Sequence, residues 1–230
     1  LSTLAIEALA YTLAGGNAQT LTACGAHNLG NTCYGNAILA ALSHSPLVRA
    51  WLIDHQASAQ RDARHSPHCP LCLLAHDVTY LTTTSRNAPL VSNVMLRRAQ
   101  WAPQFDGDRQ QDAHEALVVL LEKCNDVDEA RIRQSLGDAQ AHADQLCRWT
   151  PFWQLFGVAE HHTIACRSCG AVSMWEQRAS VLAVEVHDAR FTHVAGLIAS
   201  PRGDEQLTAE HDRCATCSAT SCRSLAVKIA

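Results

Sequence analysis

Two Cys-x-x-Cys pairs in the second half of the chain limit how that half can fold. The first pair is Cys166 and Cys169, and the second is Cys214 and Cys217. Each pair can chelate a metal ion from one tight turn, so the two together can close a tetrahedral four-thiolate zinc site. We predict that such a zinc is structural, because four thiolates leave no open position for a catalytic water. The alternative is two unrelated pairs of reduced thiols. Cys222 is a spare thiol or an alternative fourth ligand of the zinc site.

The residues around these cysteines have the pattern of a β-sheet. Segments 158–165 and 171–175 flank the first pair and predict two strands that are joined by a metal-binding turn. Gly170 follows the second cysteine of that turn and lets the backbone curl around the sulfurs. Segments 180–187 and 225–230 alternate apolar and polar residues, which predicts two further strands.

A tight turn followed by a helix, with a cysteine at the junction, is predicted between Gly25 and Ser43. Asn31 and Thr32 are suitable N-caps, so the helix should begin at or near Cys33. The positive end of the helix dipole favours the thiolate form there, which makes Cys33 a candidate nucleophile. With the Cys33 N–H, the Asn28 amide would offer two donors to a developing oxyanion. The alternative is an ordinary buried helical cysteine.

A second motif, at 107–117, leads into an amphipathic helix that we expect to continue to about Asn125. Acidic residues in a first turn are favoured by the helix dipole, which by itself accounts for Asp112 and Glu115. His114 is a tempting general base by residue type alone.

A third Cys-x-x-Cys pair, Cys69 and Cys72, precedes His76, and Pro70 predicts a helix start between the two cysteines. Cys72 and His76 would then share one helix face, so a metal site could be built from the two cysteines and this histidine. We favour a helix start with a buried thiol and a surface histidine, because no fourth ligand is evident. Segment 126–148 is polar and helical in pattern and is expected to be a solvated connector.

The composition sets limits on the class of protein. At 230 residues the chain forms one large domain or two small ones, and its 47% apolar content is ample for a core. A net charge of −4 gives no reason to expect nucleic acid, and no apolar run approaches the ~18 residues of a membrane span. Eleven cysteines without a signal peptide predict a reducing, intracellular location, cytoplasmic or nuclear.

Three motifs resemble the ubiquitin-specific proteases, a family of papain-like deubiquitinases. G-x-x-N-L-G-N-T-C-Y-x-N-A-x-L, around Cys33, resembles the family's cysteine box. R-Q-Q-D-A-H-E-x-L resembles its second box, and segment 151–157 resembles the entry to its β fingers. The sequence departs from the family pattern at Ala26, Gly35 and Ala116, where Leu, Met and Phe are usual.

The resemblance implies an α+β fold, that of a papain-like cysteine protease with a helical thumb, zinc-tipped β fingers and an incomplete palm. On this interpretation residues 1–24 are a lead-in helix and loop. Residues 25–150 form the thumb part of the catalytic domain, and residues 151–230 form a truncated fingers part.

The resemblance also implies an activity, hydrolysis of the (iso)peptide bond after the C-terminal glycine of ubiquitin. Ubiquitin or ubiquitinated proteins are therefore the expected partners. Cys33 would attack the carbonyl, Asn28 and backbone N–H groups would hold the oxyanion, and Asp112 would meet a basic residue of ubiquitin's C-terminal tail. His114 is not the base in this family.

The family's catalytic histidine lies after the fingers in a Gly-His-Tyr pattern, and none of the thirteen histidines here has that context. The chain begins with Leu1 and stops within an apolar run. We therefore expect the N-terminal portion of a catalytic domain that is inactive by itself. Two alternatives stay open: a catalytically inactive ubiquitin-binding pseudoprotease, and a zinc-finger interaction protein unrelated to ubiquitin, which would leave the cysteine box unexplained.

Overall fold

The computed structural model describes residues 24–59, 66, 68–84, 88–137, 139–182, 193, 202–207, 213–219 and 223–229, with 202–207 and 223–229 described by their backbone. The predicted lead-in helix, most of the predicted strand at 180–187 and Cys222 lie outside these residues. The described residues fall into two compact units, one up to Leu155 and one from Phe156. The predicted boundary between residues 150 and 151 stays a prediction.

The first unit is helical. Its α-helices are α1 (Cys33–Ser43), α2 (Pro46–Ala59), α3 (Pro70–Thr83), α4 (Asn93–Leu96), α5 (Arg98–Trp101), α6 (Ala113–Leu136), α7 (Gln140–Cys147) and α8 (Pro151–Phe156), with a 3₁₀ turn at Pro103–Phe105. The predicted helix start at Cys33 is confirmed. No helix within the described ranges is long and apolar enough to cross a membrane.

Helix α3 is the centre of the helical core, because it contacts α1, α2, α4 and α6. The packed faces bring together Leu39, Trp51, Leu74 and Leu120, none of which is more than 3% exposed. Burying each such side chain stabilises the fold by about 1.5–3 kcal/mol relative to leaving it in water. The core therefore fixes the helix starts at 33 and 70, where the cysteines of interest lie.

A buried carboxylate connects α3 to the short helix α4. Asp77 is fully buried, and the Ser92 hydroxyl donates to it at 2.7 Å. The N–H groups of Val94 and Asn93 donate to the same carboxylate at 3.0 and 3.1 Å. The otherwise unpaired N–H groups at the start of α4 are thus satisfied, as a buried charge requires.

The predicted connector at 126–148 is helical and mostly exposed, but it is also packed along one face. Helix α6 continues well past Asn125, and α7 packs against it. Asn125 and Asp128 are buried, and the Thr150 hydroxyl donates to Asn125 Oδ1 at 2.6 Å. Polar residues can line a packed helix face when each one finds a hydrogen-bond partner, and a polar sequence pattern does not reveal this.

The second unit is a four-stranded antiparallel sheet of β1 (Val158–Cys166), β2 (Val172–Ala179), β3 (Arg202–Leu207) and β4 (Arg223–Ile229) in the order β2-β1-β4-β3. Val158 pairs with Ala179 and Cys166 pairs with Arg223, so the turn after β1 lies at one end of the sheet. The strands predicted at 158–165 and 171–175 are confirmed, as is the strand in the final apolar run. A helical unit followed by an antiparallel sheet is an α+β arrangement.

Candidate active site and metal centre

Cys33 is the first residue of α1, and its side chain is exposed between buried Thr32 and buried Tyr34. The preceding turn has φ values of +83° at Gly30 and +50° at Asn31, the left-handed region predicted for these residue types. Thr32 does not cap the helix through its side chain. The turn therefore presents the thiol to solvent while the residues on both sides anchor it in the core.

Asn28 is held against the residue that precedes the cysteine. Its Oδ1 accepts hydrogen bonds from the Thr32 backbone N–H at 2.8 Å and from the Thr32 hydroxyl at 3.2 Å. These bonds use the oxygen of the Asn28 amide, so its NH₂ group remains to donate elsewhere. Asn28 and Cys33 are both exposed, as an oxyanion donor and a nucleophile would need to be.

Backbone pairing fastens this turn to the rest of the helical unit. The His27 N–H donates to the Leu90 carbonyl at 2.8 Å, and the Leu90 N–H donates to the Gly25 carbonyl at 2.8 Å. From α1, the Asn36 amide donates to the His27 carbonyl at 3.1 Å. The chain before Cys33 is thus held from two directions, which fixes the start of the helix.

Gly35, where the sequence departs from the family pattern, is explained by its neighbour. A Cβ at this position would lie 2.8 Å from Met95 Cε and 2.9 Å from Met95 Cγ, and closer still to the sulfur. Met95 comes from α4 and is only 1% exposed. The methionine side chain of α4 therefore fills the space beside Gly35, and a larger residue there would overlap it.

Gln110 is a site residue that the sequence reasoning missed. Its Nε2 lies 4.0 Å from the Cys33 sulfur. The loop that carries it is held by the Asn31 amide, which donates to the Asp108 carbonyl at 2.5 Å, and by Arg98, which donates to the Gly107 carbonyl at 3.0 Å. The sequence offered one indication that Gln110 belongs to the site, which is its position within the second motif at 107–117.

Asp112 is the N-cap of α6. Its Oδ1 accepts the His114 N–H at 2.6 Å and the Glu115 N–H at 3.1 Å. The bonds from Glu115 and His114 hold the pKa of the exposed Asp112 carboxyl below its usual value. This accounts for the acidic residue at the helix start, and the predicted contact with a basic residue of ubiquitin stays a prediction.

The predicted four-cysteine cluster is assembled in the sheet unit. The sulfurs of Cys166 and Cys217 lie 3.7 Å apart, as do those of Cys169 and Cys214. All four sulfurs lie within 4.8 Å of one another. A tetrahedral zinc with bonds of about 2.3 Å separates its sulfur ligands by about 3.8 Å. The cluster therefore fits a metal ion of this size.

The two turns of the cluster have the same local structure. The Gly170 N–H donates to the Cys166 carbonyl at 2.9 Å, and the Ser218 N–H donates to the Cys214 carbonyl at 2.8 Å. Gly170 and Ser218 both have positive φ, at +73° and +56°. Hydrogen bonds from the Cys217 and Thr216 N–H groups lower the pKa of Cys214 to about 6, which favours a metal-binding thiolate.

The third cysteine pair does not meet the histidine suggested by its spacing. His76 is exposed, and its Nδ1 lies 3.1 Å from Asp77 Oδ1 and 2.9 Å from the Asn93 amide. The structure instead brings buried His55 to Cys69 and Cys72. The favoured interpretation, a helix start with a buried thiol and a surface histidine, is confirmed, and the alternative metal site of Cys69, Cys72 and His76 is wrong in its histidine.

A family model and curated relatives match this chain. A model of the family described as ubiquitin carboxyl-terminal hydrolase matches residues 24–222. The chain is 30% identical over 162 residues to "Ubiquitin carboxyl-terminal hydrolase 36" of Drosophila ananassae, covering 69% of this chain and 14% of that protein. It is 31% identical over 166 residues to the protein of the same name in Drosophila erecta, covering 70% and 15%. The chain thus spans about one seventh of the length of these curated relatives.

Two solved structures have the same fold. One is the SAGA Ubp8/Sgf11/Sus1/Sgf73 DUB module bound to ubiquitin aldehyde, with a TM-score of 0.63 and 20% identity over 90% of this chain and 44% of that chain. The other is this module bound to monoubiquitin, with a TM-score of 0.64 and 20% identity over 96% and 50%. These likenesses confirm the predicted α+β, papain-like fold class. The exposed cysteine at a helix start, the four-cysteine cluster and the family match over residues 24–222 lead to one conclusion, that this chain belongs to the ubiquitin carboxyl-terminal hydrolase family.

Proposed function

We propose that the protein hydrolyses the (iso)peptide bond after the C-terminal glycine of ubiquitin, with Cys33 as the nucleophile. The observation that carries the proposal is an exposed thiol at a helix start, directly after the residue that holds Asn28. Family membership supports the reaction class. The two similar structures, which contain ubiquitin aldehyde and monoubiquitin, support ubiquitin as the partner.

The proposed reaction follows the order of a thiol protease. The Cys33 thiolate attacks the glycine carbonyl carbon and forms a carbon–sulfur bond, while the carbonyl oxygen becomes an oxyanion. The Asn28 NH₂ group and the Cys33 N–H donate to this oxyanion. The carbon–nitrogen bond then breaks as the leaving amine takes a proton, and water hydrolyses the resulting thioester to restore the thiol.

The proposal needs a general base and assigns the second motif to binding. Among the described residues, no histidine forms a hydrogen bond with the Cys33 sulfur, so the base is left to a histidine elsewhere in the protein. Gln110 would help to position the substrate beside the sulfur, because its amide lies 4.0 Å away on a fixed loop. Asp112 Oδ2, the carboxylate oxygen that does not accept the two capping bonds, would meet a basic residue of the ubiquitin tail.

The four-cysteine cluster is proposed to hold a structural zinc, with Cys166, Cys169, Cys214 and Cys217 as its ligands. The sulfur separations of 3.7 Å support this assignment. When bound, the zinc would join the turn after β1 to the turn at 214–217 and take no part in the chemistry, because four thiolates fill its coordination shell. The sheet would then contact the globular body of ubiquitin.

The test uses the full-length protein and a ubiquitin that carries a C-terminal electrophile. Covalent labelling is expected for the unmodified protein and should be lost in Cys33→Ala. The matched control is Cys24→Ala, because Cys24 is a part-exposed thiol that donates to the Ala88 carbonyl at 3.0 Å and has no proposed role. Labelling that persists in Cys33→Ala would refute the assignment.

One further outcome separates hydrolysis from binding. If the unmodified protein binds ubiquitin and is not labelled, the inactive pseudoprotease becomes the better description. If it neither binds nor is labelled, ubiquitin is not the partner.

A further inference from the structure

A buried cluster of three metal-ligating side chains lies in the helical unit, separate from the four-cysteine cluster of the sheet unit. His55 comes from α2, Cys69 lies at the start of α3 and Cys72 lies in its first turn. One ligand atom from each of the three residues lies within 4.8 Å of the other two. His55 and Cys69 are 2% and 3% exposed, and Cys72 is half-buried.

The separation of His55 and Cys69 matches that of two ligands of a tetrahedral zinc. His55 Nε2 lies 3.4 Å from the Cys69 sulfur. Zinc bonds of about 2.3 Å to sulfur and about 2.0–2.1 Å to nitrogen place these two ligand atoms about 3.6 Å apart. A metal ion could therefore be accepted without a large movement of either side chain.

The backbone hydrogen bonds to sulfur in this pair repeat those of the four-cysteine cluster. In each Cys-x-x-Cys pair, the N–H groups two and three residues after the first cysteine hydrogen-bond to its sulfur. The donors are Leu71 and Cys72 for Cys69, Ser168 and Cys169 for Cys166, and Thr216 and Cys217 for Cys214. The pair at 69–72 thus shares these hydrogen bonds with both turns of the other cluster, while its chain continues into α3.

A second layer of groups orients the histidine. His55 Nδ1 lies 3.8 Å from Asp128 Oδ1, and the indole N–H of Trp51 donates to the other oxygen of that carboxylate at 2.9 Å. A metal-bound histidine commonly directs its second ring nitrogen to a carboxylate in this way. Arg131 Nη1 also lies 3.4 Å from His55 Nδ1 and 3.8 Å from Asp128 Oδ1. The imidazole therefore presents Nε2 to the two cysteines.

We propose that His55, Cys69 and Cys72 bind a second zinc ion, independent of the four-cysteine cluster and of the proposed catalysis. Two thiolates and one imidazole fill three of the four tetrahedral positions, and a ligand other than these side chains fills the fourth. The ion would join α2 to the start of α3, and Asp128 would extend this connection to α6. Its role would be structural, because His55 and Cys69 are buried in the helical core.

The test is elemental analysis of zinc in the full-length protein and in matched variants. The double variant Cys69→Ser/Cys72→Ser should contain about one zinc less per chain than the unmodified protein, as should Cys166→Ser/Cys169→Ser. A variant that combines all four substitutions should contain about two fewer. Cys147→Ser is the control, because Cys147 is buried in the same helical unit and belongs to neither cluster. An unchanged zinc content in the first variant, or an equal loss in the control, would overturn the proposal.

A second measurement covers the case in which the serine variant does not fold. In the unmodified protein, Cys72 should be alkylated slowly until a zinc chelator is added and then much faster, with the site read by mass spectrometry. A rate that ignores the chelator, or a disulfide between Cys69 and Cys72 in anaerobically purified protein, would overturn the proposal. The variant Cys72→His, which replaces one zinc ligand with another, should keep the second zinc, and Cys72→Leu should lose it.

Both measurements are independent of the proposed function. Labelling of Cys33 by the ubiquitin electrophile reports on the nucleophile, and zinc content reports on the second site. Failure of either leaves the other unaffected.

Discussion

Cys33 and Cys69 both lie at the start of a helix, yet their surroundings are opposite. Cys33 is the first residue of α1, is exposed, and has the Gln110 amide 4.0 Å from its sulfur. Cys69 is the N-cap of α3, is 3% exposed, and has the His55 imidazole 3.4 Å from its sulfur. Neither helix start is capped by a side chain. The thiol with a neighbouring imidazole is therefore the one that a protein substrate cannot reach.

This difference teaches that a thiol–imidazole pair is not by itself a reaction centre. Burial lowers the pKa of His55, but the nearby Asp128 carboxylate and the Cys69 sulfur outweigh burial and raise it overall. Burial raises the pKa of Cys69, but hydrogen bonds from His55 and the Cys72 backbone outweigh burial and lower it overall. The two side chains therefore shift each other's pKa in opposite directions, and access to solvent separates this pair from Cys33.

The largest expected effect is a difference in reaction rate between the two thiols. Iodoacetamide should alkylate Cys69 about 10³-fold more slowly than Cys33, because reaching Cys69 requires an opening of the core that costs about 4 kcal/mol. Peptide mass spectrometry over a time course measures both rates in one sample. The part-exposed Cys24 serves as an internal reference. Equal rates at Cys33 and Cys69 would remove the contrast between the two sites.

The second prediction concerns the carboxylate behind His55. Asp128→Ala should lower the free energy of unfolding by about 3 kcal/mol, because it leaves the buried Trp51 indole N–H without a partner. The control is Asp126→Ala on the same helix, where an exposed ion pair of 2.8 Å to Lys123 predicts a change within about 0.5 kcal/mol. Urea unfolding measures both variants. Similar losses in the two would show that Asp128 contributes no more than a surface charge.

The third prediction concerns the packing below Cys33. Gly35→Ala should lower the free energy of unfolding by about 1–2 kcal/mol, because the new methyl group overlaps Met95. Adding Met95→Val should recover part of this loss. Gly25→Ala is the control, because a Cβ there has no atom within 4 Å. Thermal unfolding of the four proteins tests it, and a loss that Met95→Val leaves unchanged would contradict the proposed overlap.

The smallest expected effect concerns Asp112, the N-cap of α6. The pKa of Asp112 is lowered in the folded protein, so its contribution to stability is present above its unfolded pKa, about 3.9, and is lost as the pH falls through the folded value. Asp112→Ala should therefore lower the urea midpoint at pH 7 and have a shrinking effect below about pH 4. Asp112→Asn, which keeps a capping oxygen, should be milder. An effect of Asp112→Ala that is independent of pH would contradict this account.

Local features of the sequence predicted local structure well. The helix start at Cys33 followed from turn residues and apolar spacing within a few positions, and the strands beside the first metal turn followed from short alternating segments. The four-cysteine cluster could also be predicted, because each half is a short motif with its own chemistry. The role of Gln110 could have been suspected from its motif but not from its residue type.

Features made by packing could not be predicted in this way. His55 lies on another helix from Cys69, so spacing favoured His76 on the same helix instead. Asp128 belongs to a polar segment that suggested solvent, because a sequence does not show that a carboxylate will meet a buried indole. In the sequence Gly35 was only a departure from the family pattern, and the structure shows that its missing side chain makes room for Met95.

The contact between Gly35 and Met95 also constrains the order in which substitutions at these two positions can occur during evolution. The family's usual methionine at position 35 would require the space that Met95 occupies, so it can return only after residue 95 has become smaller. A lineage passing between the two arrangements would need a small residue at both positions first, with a void beside the nucleophile as the intermediate. We therefore expect the two combinations of residues at positions 35 and 95 to persist in separate branches of the family. Within each branch the two residues would be inherited together.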